Sequence, residues 1–410
     1  MVRPLERPLG KPFPATRQHR RLLEVTFVMR KLRPSWLLLA APAVLVLVVV
    51  VAVIFSGFWL ASTGAGSQAA TGSDEPREEP DAEPPAEDRT VIAYVPYWDQ
   101  ERAFDSVLEN IEIIDEVSPF WYAPDAEGNV ELSDPQHTTV DRMMVRYLQE
   151  QGIRVIPTIT NLRSGDWDPE VVGEVLADDA RMEAHVRNIV DLVIAEGYDG
   201  IDLDYESLRA RDRDPYSAFL RELSAALHAE DKLLTSSVHP KTSDEGVDER
   251  NVAQDFEVIG ETNDQVRVMT YDYSWDTSPP GPVAPAEWVE EVIAWTVTQI
   301  PREKVVLGVV LLGYDWVDGH GETVDYYMAM SRARQEGAEI QRADDESPWY
   351  TYTDQSSREH EVWFEDAASI SSKLRLIREY DLGGVFAWRL GGEDPGVWSE
   401  VPKYTGALGQ

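Results

Sequence analysis

The sequence predicts an α/β protein in which a (β/α)8 TIM barrel carries a small α+β insertion and is preceded by one transmembrane helix. Three observations support this prediction. Strand-like and helix-like segments alternate after residue 90, which is typical of a parallel sheet covered by helices. The 320 residues of 91–410 exceed the about 250 residues of a simple barrel and leave room for an insertion. One long apolar stretch lies near the N-terminus.

The N-terminal region has the pattern of a membrane anchor. Residues 1–33 contain nine Lys or Arg and two Asp or Glu, whereas residues 36–60 contain no charged side chain. A helix of that length spans about 37 Å, which exceeds the roughly 30 Å hydrocarbon core of a bilayer. We predict a basic cytoplasmic segment at 1–33 and a transmembrane signal anchor at 34–60, with an extracellular catalytic domain. The alternative is a secreted protein, since small residues at 61–66 could admit signal cleavage.

The segment that follows the anchor predicts a tether. Residues 61–90 are rich in Gly, Ser, Ala, Pro, Asp and Glu, a composition that cannot bury apolar surface and favours disorder. Most of the net charge of −37 lies in 91–410. Such an acidic domain repels nucleic acid, so no nucleic-acid partner is expected, and the charge itself indicates a well-solvated surface. We expect the domain to be a monomer.

Composition also limits the chemistry of the site. The chain contains no cysteine, which excludes disulfides, a thiolate nucleophile and cysteine metal sites. Its seven histidines show no metal-ligand spacing, so neither a metal nor another cofactor is predicted.

The barrel domain is predicted from 91 to 410. The eight strands are 91–97, 113–122, 153–160, 199–205, 232–238, 264–271, 303–311 and 383–388. Helical patterns between them include 138–151, 180–196, 213–229, 286–299 and 366–380. The surplus length falls at about 318–363, where one helix-like stretch (324–336) and two strand-like pieces (349–353 and 360–364) predict the insertion on the active-site rim.

Residues 199–206, Asp-Gly-Ile-Asp-Leu-Asp-Tyr-Glu, are the strongest functional signal. The two-residue period of a strand places Asp202, Asp204 and Glu206 on one face. Mutual repulsion among three carboxylates raises the pKa of at least one of them, and a raised pKa suits a general acid at neutral pH. Barrel active sites lie at the C-terminal ends of the strands. The alternative is an edge strand with a solvated acidic face.

This octapeptide resembles the Asp-x-x-Asp-x-Asp-x-Glu signature of glycoside hydrolase family 18, the chitinase-like barrels. Three further segments resemble the sixth, seventh and eighth strands of that family. They are Met-Thr-Tyr-Asp at 269–272, LGVVLLGYDW at 307–316 and GVFAWRLGGED at 384–394. The resemblance covers roughly 91–402.

Within the family, the chain is most similar to the bacterial cell-wall and spore-cortex peptidoglycan hydrolases. Thr160-Asn161 ends the third strand and the segment 360–366 ends the insertion, as in that subgroup. The Ser-x-Gly-Gly stretch that secreted chitinases usually carry at the third strand is replaced here, which makes crystalline chitin a less favoured substrate.

The resemblance implies a retaining glycoside hydrolase that cleaves β-linked N-acetylglucosaminyl glycans, with peptidoglycan favoured. It implies that the substrate's own 2-acetamido group attacks the anomeric carbon. Glu206 would be the general acid, Asp204 would orient the acetamido group, Asp202 would share a proton with Asp204, and Tyr271 would donate a hydrogen bond to the acetamido oxygen.

The resemblance also implies a set of substrate-binding residues. Asp272 would contact the sugar near the cleaved bond and Trp388 would form the floor beneath it, with Met269, Tyr94 and Asn161 completing the set. Several residues have structural alternatives: Trp388 could belong to the barrel core, and Tyr271 and Asp272 could be a strand end and a helix cap.

Three other functions remain open. They are a chitinase acting on chito-oligosaccharides, a non-catalytic glycan-binding barrel and a scaffold that recruits partners, since fold alone does not determine activity. His239, which follows the fifth strand, could reach the site, although a single histidine is more often structural.

Overall fold

The computed structural model of the chain describes residues 89–163 and 165–406. The predicted segments 1–33 and 34–60, and nearly all of 61–90, lie outside the described residues. Within the described part of the chain, no helix combines the length and the apolar character needed to cross a bilayer.

Eight parallel strands form a closed barrel, as predicted. The strands are Thr90–Pro96, Glu116–Pro124, Arg154–Val155 with Thr158–Thr160, Gly200–Asp204, Leu233–Val238, Gln265–Val268, Val305–Val310 and Gly384–Trp388. Closure is direct, because the first strand pairs in parallel with both the second and the eighth. The third strand is interrupted at Pro157, which has no N–H to donate to the ladder.

Helices cover the outside of the barrel. They are Gln100–Glu109, Arg142–Glu150, Pro169–Leu176, Asp179–Glu196, Arg213–His228, Glu249–Ala253, Phe256–Thr262, Ala286–Thr296, Ala367–Glu379 and Val397–Thr405. With side chains inside the barrel and helices outside it, both faces of the strands are buried, and every residue of Glu116–Pro124 is buried. A short strand, Val130–Leu132, extends the second strand as a hairpin, and the pair Leu162–Arg163 and Asp166–Trp167 forms a separate hairpin.

The chain enters the fourth strand through a well-defined turn. The Asp178 carboxylate caps the helix Asp179–Glu196 by accepting a hydrogen bond from the Arg181 amide, and Gly197 ends it with φ of 73°. Gly200 then passes so close to the fifth strand that a Cβ there would lie 2.4 Å from the Leu233 carbonyl oxygen. Only glycine fits this approach, which sets the register of the acidic residues that follow.

The insertion between the seventh strand and the helix Ala367–Glu379 is an α+β unit, as predicted, but it begins earlier than residue 318. Its strands are Leu312–Val317, His320–Asp325, Gln341–Arg342, Pro348–Thr353 and Glu359–Trp363, and its helix is Tyr326–Glu336. The segment 307–316 is therefore not one barrel strand. The barrel strand ends at Val310, and residues from Leu312 onward pair antiparallel with two strands of the insertion.

Candidate active site

The three acidic residues of the fourth strand form a gradient from the barrel interior to its mouth. Asp202 is fully buried and Asp204 is nearly so. Glu206 lies two residues beyond the end of the strand, with 16% of its side chain exposed. The strand therefore presents its last carboxyl group to solvent and keeps the first two inside.

Asp202 is held by donors from three other strands. It accepts hydrogen bonds from the hydroxyl groups of Tyr94 at 2.9 Å, Thr158 at 3.1 Å and Thr235 at 2.8 Å. Among the described hydrogen bonds none joins Asp202 to Asp204, so the predicted proton-sharing contact is not present in this structure. The geometry instead supports Asp202 as the residue that ties the fourth strand to its neighbours.

A buried arginine completes this network. Arg267, on the sixth strand, lies 3.5 Å from Asp202, donates to the hydroxyl of Tyr94 at 3.0 Å and forms a close ion pair with Glu116 on the second strand. All four side chains are almost inaccessible to solvent. Tyr94, predicted to bind substrate, thus uses its hydroxyl within the barrel core.

Burial sets the protonation of the two outer carboxyl groups. It raises the pKa of Asp204 well above its ordinary value, and repulsion from Glu206 and Asp202 adds to the effect. Burial also raises the pKa of Glu206 to about 8, with a further contribution from Asp272. Oδ1 of Asp204 is buried and has no hydrogen-bond partner in the described part of the chain. The pair therefore retains a proton at neutral pH.

The side chain of Asn161 holds the backbone of Glu206 in place through hydrogen bonds. Its Oδ1 accepts a hydrogen bond from the Glu206 amide at 2.8 Å, and its Nδ2 donates to the Glu206 carbonyl at 2.7 Å and to the Asp168 carbonyl at 3.1 Å. The side chain is fully buried. This geometry supports a positioning role in place of the predicted contact with substrate.

The loop after the sixth strand brings the remaining predicted residues to the mouth. The strand ends at Val268, so Met269 and Tyr271 lie beyond it, and both are mostly buried. Burial raises the pKa of the Tyr271 hydroxyl well above its ordinary value, and the charge of Asp204 raises it further. Tyr271 is therefore a neutral hydrogen-bond donor that lies close enough to Asp204 for an electrostatic interaction.

Asp272 has an unusual backbone and a partner from the insertion. Its φ is 58°, in the left-handed region that few residues other than glycine adopt. Burial raises the pKa of its carboxyl group to about 6. The Tyr314 hydroxyl donates to Oδ1 of Asp272 at 3.3 Å, so the insertion reaches the site.

Trp388 ends the eighth strand within an aromatic cluster at the mouth. Ring centroids of Phe120, Tyr94 and Trp98 lie 5.2, 5.7 and 6.2 Å from it. Trp388 is partly exposed and Trp98 is 45% exposed. Flat, partly exposed rings suit contact with the apolar face of a sugar.

The sequence also held signals for residues that the site predictions did not include. Arg267 and Glu116 are charged residues inside strand patterns, in the runs Gln-Val-Arg-Val and Glu-Val-Ser-Pro. A charge at such a position needs a buried partner. Tyr314 had no such signal, because it belongs to the insertion. No group of three or more His, Asp or Glu in the described ranges could hold a metal ion.

Comparison with known proteins identifies the family. The profile of glycosyl hydrolases family 18 matches residues 90–393. The chain belongs to this family. The predicted resemblance is thereby confirmed.

The relatives include proteins named for spore-cortex lysis. The chain is 38% identical over 269 residues to YdhD of Bacillus subtilis, which bears the name of a sporulation-specific glycosylase; the match covers 63% of each chain. It is 35% identical over 258 residues to the cortical fragment-lytic enzyme of B. subtilis, with 61% of this chain and 60% of that protein covered. The chain thus spans less than two thirds of the length of these relatives.

A solved structure of a chitinase from Chromobacterium violaceum has the same fold. It superposes with a TM-score of 0.72 at 26% identity, covering 78% of this chain and 99% of the chitinase. The proteins similar to this chain therefore include one named for the lysis of cortical fragments and one named as a chitinase.

Proposed function

We propose that this chain is a retaining glycoside hydrolase that cleaves β-linked N-acetylglucosaminyl glycans, with peptidoglycan as the favoured substrate. The observation that carries the proposal is the pair formed by Glu206 and Asp204 at the mouth of the barrel. Burial raises the pKa of Glu206 to about 8, so its carboxyl group is protonated at neutral pH and can act as a general acid.

In the first step, Glu206 gives its proton to the glycosidic oxygen as the bond to the anomeric carbon breaks. The acetamido oxygen of the same sugar attacks that carbon and forms an oxazolinium ion. Oδ1 of Asp204 is buried and has no hydrogen-bond partner among the described residues, so it can accept a hydrogen bond from the acetamido N–H. Tyr271 can donate to the acetamido oxygen, because its hydroxyl stays neutral.

In the second step, the Glu206 carboxylate takes a proton from water as the water attacks the anomeric carbon and opens the oxazolinium ring. Two displacements at the same carbon retain its configuration. Asn161 supports both steps by fixing the backbone of Glu206 through two hydrogen bonds. Trp388 supports them by offering a ring surface under the sugar.

The substrate preference rests on the relatives. One relative, 35% identical to this chain, is named the cortical fragment-lytic enzyme of B. subtilis, and this name supports our choice of peptidoglycan as the substrate. The second candidate is hydrolysis of chito-oligosaccharides, which the close superposition on nearly the whole of a chitinase supports.

The placement of the enzyme in the cell is also a proposal. The basic segment at 1–33 and the uncharged stretch at 36–60 favour a single-pass membrane protein whose monomeric barrel faces outward. Membrane fractionation of cells that express the full chain tests the anchor: recovery of the intact protein in the culture medium would contradict it.

The test of the activity compares the full chain with its Glu206→Gln variant on purified peptidoglycan and on chito-oligosaccharides, with products analysed by mass spectrometry. The substitution removes the transferable proton and should reduce turnover about 10²- to 10⁴-fold. Glu222→Gln, an exposed position on the helix Arg213–His228, is the matched control and should retain activity.

The products separate the alternatives. Muropeptides with reducing N-acetylglucosamine ends would support the favoured substrate, whereas release from chito-oligosaccharides alone would move the proposal to chitin-like glycans. Binding of either glycan without any product, by folded protein at high concentration, would favour a non-catalytic barrel. Equal turnover by the Glu206→Gln variant would overturn the assigned acid.

A further inference from the structure

Tyr205, the residue between Asp204 and Glu206, directs its side chain toward the helices that cover the barrel. Its hydroxyl oxygen lies 2.6 Å from Nε2 of His185, a residue of the helix Asp179–Glu196. The tyrosine is fully buried and the histidine is nearly so. The reaction scheme proposed above gives neither side chain a role.

The direction of this hydrogen bond follows from the other nitrogen of the imidazole. Nδ1 of His185 lies 2.9 Å from the carbonyl oxygen of Gly128, which can only accept a hydrogen bond, so Nδ1 carries a proton. Burial lowers the pKa of His185 to about 4, so the imidazole is neutral near pH 7 and its Nε2 carries no proton. The O–H of Tyr205 therefore donates to His185, and the N–H of His185 donates to Gly128.

Aromatic packing keeps both side chains in the layer between the barrel and its helices. The Phe219 ring is nearly parallel to both rings, with its centroid 5.4 Å from that of His185 and 6.3 Å from that of Tyr205. Phe219 belongs to the helix Arg213–His228. Tyr205 thus contacts the two helices on either side of the fourth strand in the chain.

This contact lies just beyond the place where the fourth strand ends. The register of the barrel extends to Asp204, which lies opposite Thr160. Tyr205 and Glu206 follow this last pair, and Ser207 then turns the chain with φ of 56°. Because side chains alternate along an extended chain, a Tyr205 ring held on the outside directs the side chains before and after it toward the mouth of the barrel.

We propose that Tyr205 and His185 are positioning residues, whose shared hydrogen bond holds the carboxyl group of Glu206 in place for proton transfer. The proposal rests on the proposed function and deepens it by assigning a role to this buried pair. Asn161 holds the backbone of Glu206 from the third strand, whereas Tyr205 holds the preceding residue from the outer layer. Misplacement of a reacting group by about 1 Å can cost about 100-fold in rate.

The kinetic test compares kcat and KM of the full chain with those of Tyr205→Phe, which keeps the ring and removes the hydroxyl group. We expect kcat to fall about 10- to 100-fold and KM to stay nearly unchanged, because the contacts that bind the glycan remain. The matched control is Tyr198→Phe. Tyr198 is a buried tyrosine just before the same strand, and its hydroxyl group pairs with that of Tyr122 at 2.7 Å. This control should also lose stability but should keep the kcat of the wild type, as a merely structural role predicts.

A double-mutant cycle tests whether the hydrogen bond itself is the cause. His185→Phe keeps a ring against Phe219 and removes the acceptor, so kcat should fall as it does in Tyr205→Phe. If both residues act through one hydrogen bond, the double variant should be no slower than the slower single variant. Losses in kcat that multiply in the double variant, or a kcat of Tyr205→Phe equal to that of the wild type, would overturn the proposal.

A titration separates failure of this proposal from failure of the proposed function, because it requires no turnover. Glutamate labelled with carbon-13 at the side-chain carboxyl group reports the pKa of Glu206 by NMR, and the Glu206→Gln variant identifies its signal. The charged groups that act on Glu206 are unchanged in every variant; they are Asp204, Asp272 and Arg250. The substituted side chains are themselves neutral near pH 7. A shift in the pKa of Glu206 therefore reports a displaced carboxyl group and not a lost charge.

The titration has two outcomes that decide the matter. A carboxyl group that is no longer held becomes better solvated, so its pKa should fall by about half a unit or more in Tyr205→Phe and stay unchanged in Tyr198→Phe. This result would support the proposal even if no product forms. The same pKa of Glu206 in both variants and in the wild type would overturn the proposal while leaving the proposed hydrolysis intact. His185→Phe provides the same test if Tyr205→Phe does not fold.

Discussion

His239 and Glu206 are neighbours that do not form a hydrogen bond with each other. Nε2 of His239 lies 3.5 Å from Oε2 of Glu206, and this nitrogen is buried without a hydrogen-bond partner among the described residues. Burial lowers the pKa of His239 to about 3, so the imidazole is neutral at every pH at which the enzyme would work. It therefore acts on Glu206 by excluding water and not by adding charge. Since burial is the largest cause of the raised pKa of Glu206, His239 helps to keep the acid protonated.

The first prediction concerns replacement of this imidazole. His239→Ala admits water beside Glu206 and should lower its pKa, so the alkaline limb of the profile of kcat/KM against pH should move down by about one unit. His239→Phe continues to exclude water from Glu206, so the alkaline limb of its profile should lie within a few tenths of a pH unit of that of the wild type. An upward shift in His239→Ala would show instead that an imidazole N–H stabilises the carboxylate.

The second prediction concerns Asp272, whose negative charge helps to raise the pKa of Glu206. The acid must hold its proton, so wild-type kcat/KM should be level below the raised pKa of about 8 and fall about tenfold per pH unit above it. Asp272→Asn removes the charge and should move this limb to lower pH by roughly half a unit to one unit. The pH profile of Asp318→Asn, which lies on the exposed surface of the insertion, should match the wild type. An unmoved limb in Asp272→Asn would refute the electrostatic contribution.

The third prediction concerns stability. The folded-state pKa of Glu206, about 8, lies above its ordinary value, so the folded protein holds a proton that the unfolded chain releases. Stability from this group is full at low pH and is lost as the pH rises from its ordinary value to about 8. The melting temperature of Glu206→Gln should therefore equal that of the wild type near pH 4. At pH 8.5 it should be higher than that of the wild type by roughly 3 °C or more. Differential scanning calorimetry at the two pH values checks this, and a lower melting temperature for the variant at pH 8.5 would contradict it.

The fourth prediction concerns the buried network under the site. Arg267→Met leaves the buried carboxylate of Asp202 without its cation and leaves Glu116 with Arg154 as its remaining ion-pair partner. Removal of one member of a buried ion pair costs about 3–5 kcal/mol. Urea unfolding should show a loss of that size in the free energy of unfolding. Arg358→Met breaks an exposed pair with Asp354 and should cost at most about 1 kcal/mol. Similar losses in the two variants would mean that the buried network contributes no more than a surface pair.

The fold was largely predictable because strand and helix periods are local properties of the sequence. The eight strands follow from the alternation of strand-like and helix-like segments, and the two-residue period places the acidic residues on one face of the fourth strand. Asp178, which caps the preceding helix, and Gly200, which begins the strand, are also local signals in the sequence. The beginning of the insertion was not predictable in this way. Residues from Leu312 onward have the same β-rich composition as the barrel strand before them, and only the antiparallel partners show that they belong to another sheet.

The site could be predicted where a residue's role follows from its position along one strand. It was less predictable where the role depends on contacts with other strands. Glu206 follows its strand and could be placed from the motif. The role of Asn161 depends on hydrogen bonds to a backbone 45 positions away, and the partners of Asp202 come from distant segments. Such pairings depend on barrel closure, which no local window of sequence contains.

The way in which Asp202 is held has a consequence for laboratory evolution of this barrel. Its carboxylate accepts hydrogen bonds from Tyr94, Thr158 and Thr235 and forms an ion pair with Arg267, and each of these four residues lies on a different strand. A library that randomises any one of these strands would return mostly chains with a buried carboxylate short of a partner. Libraries confined to the loops beyond the strands would avoid this loss. The residues of these four strands would therefore have to be kept together, and changes in substrate specificity would be sought in the loops at the mouth of the barrel.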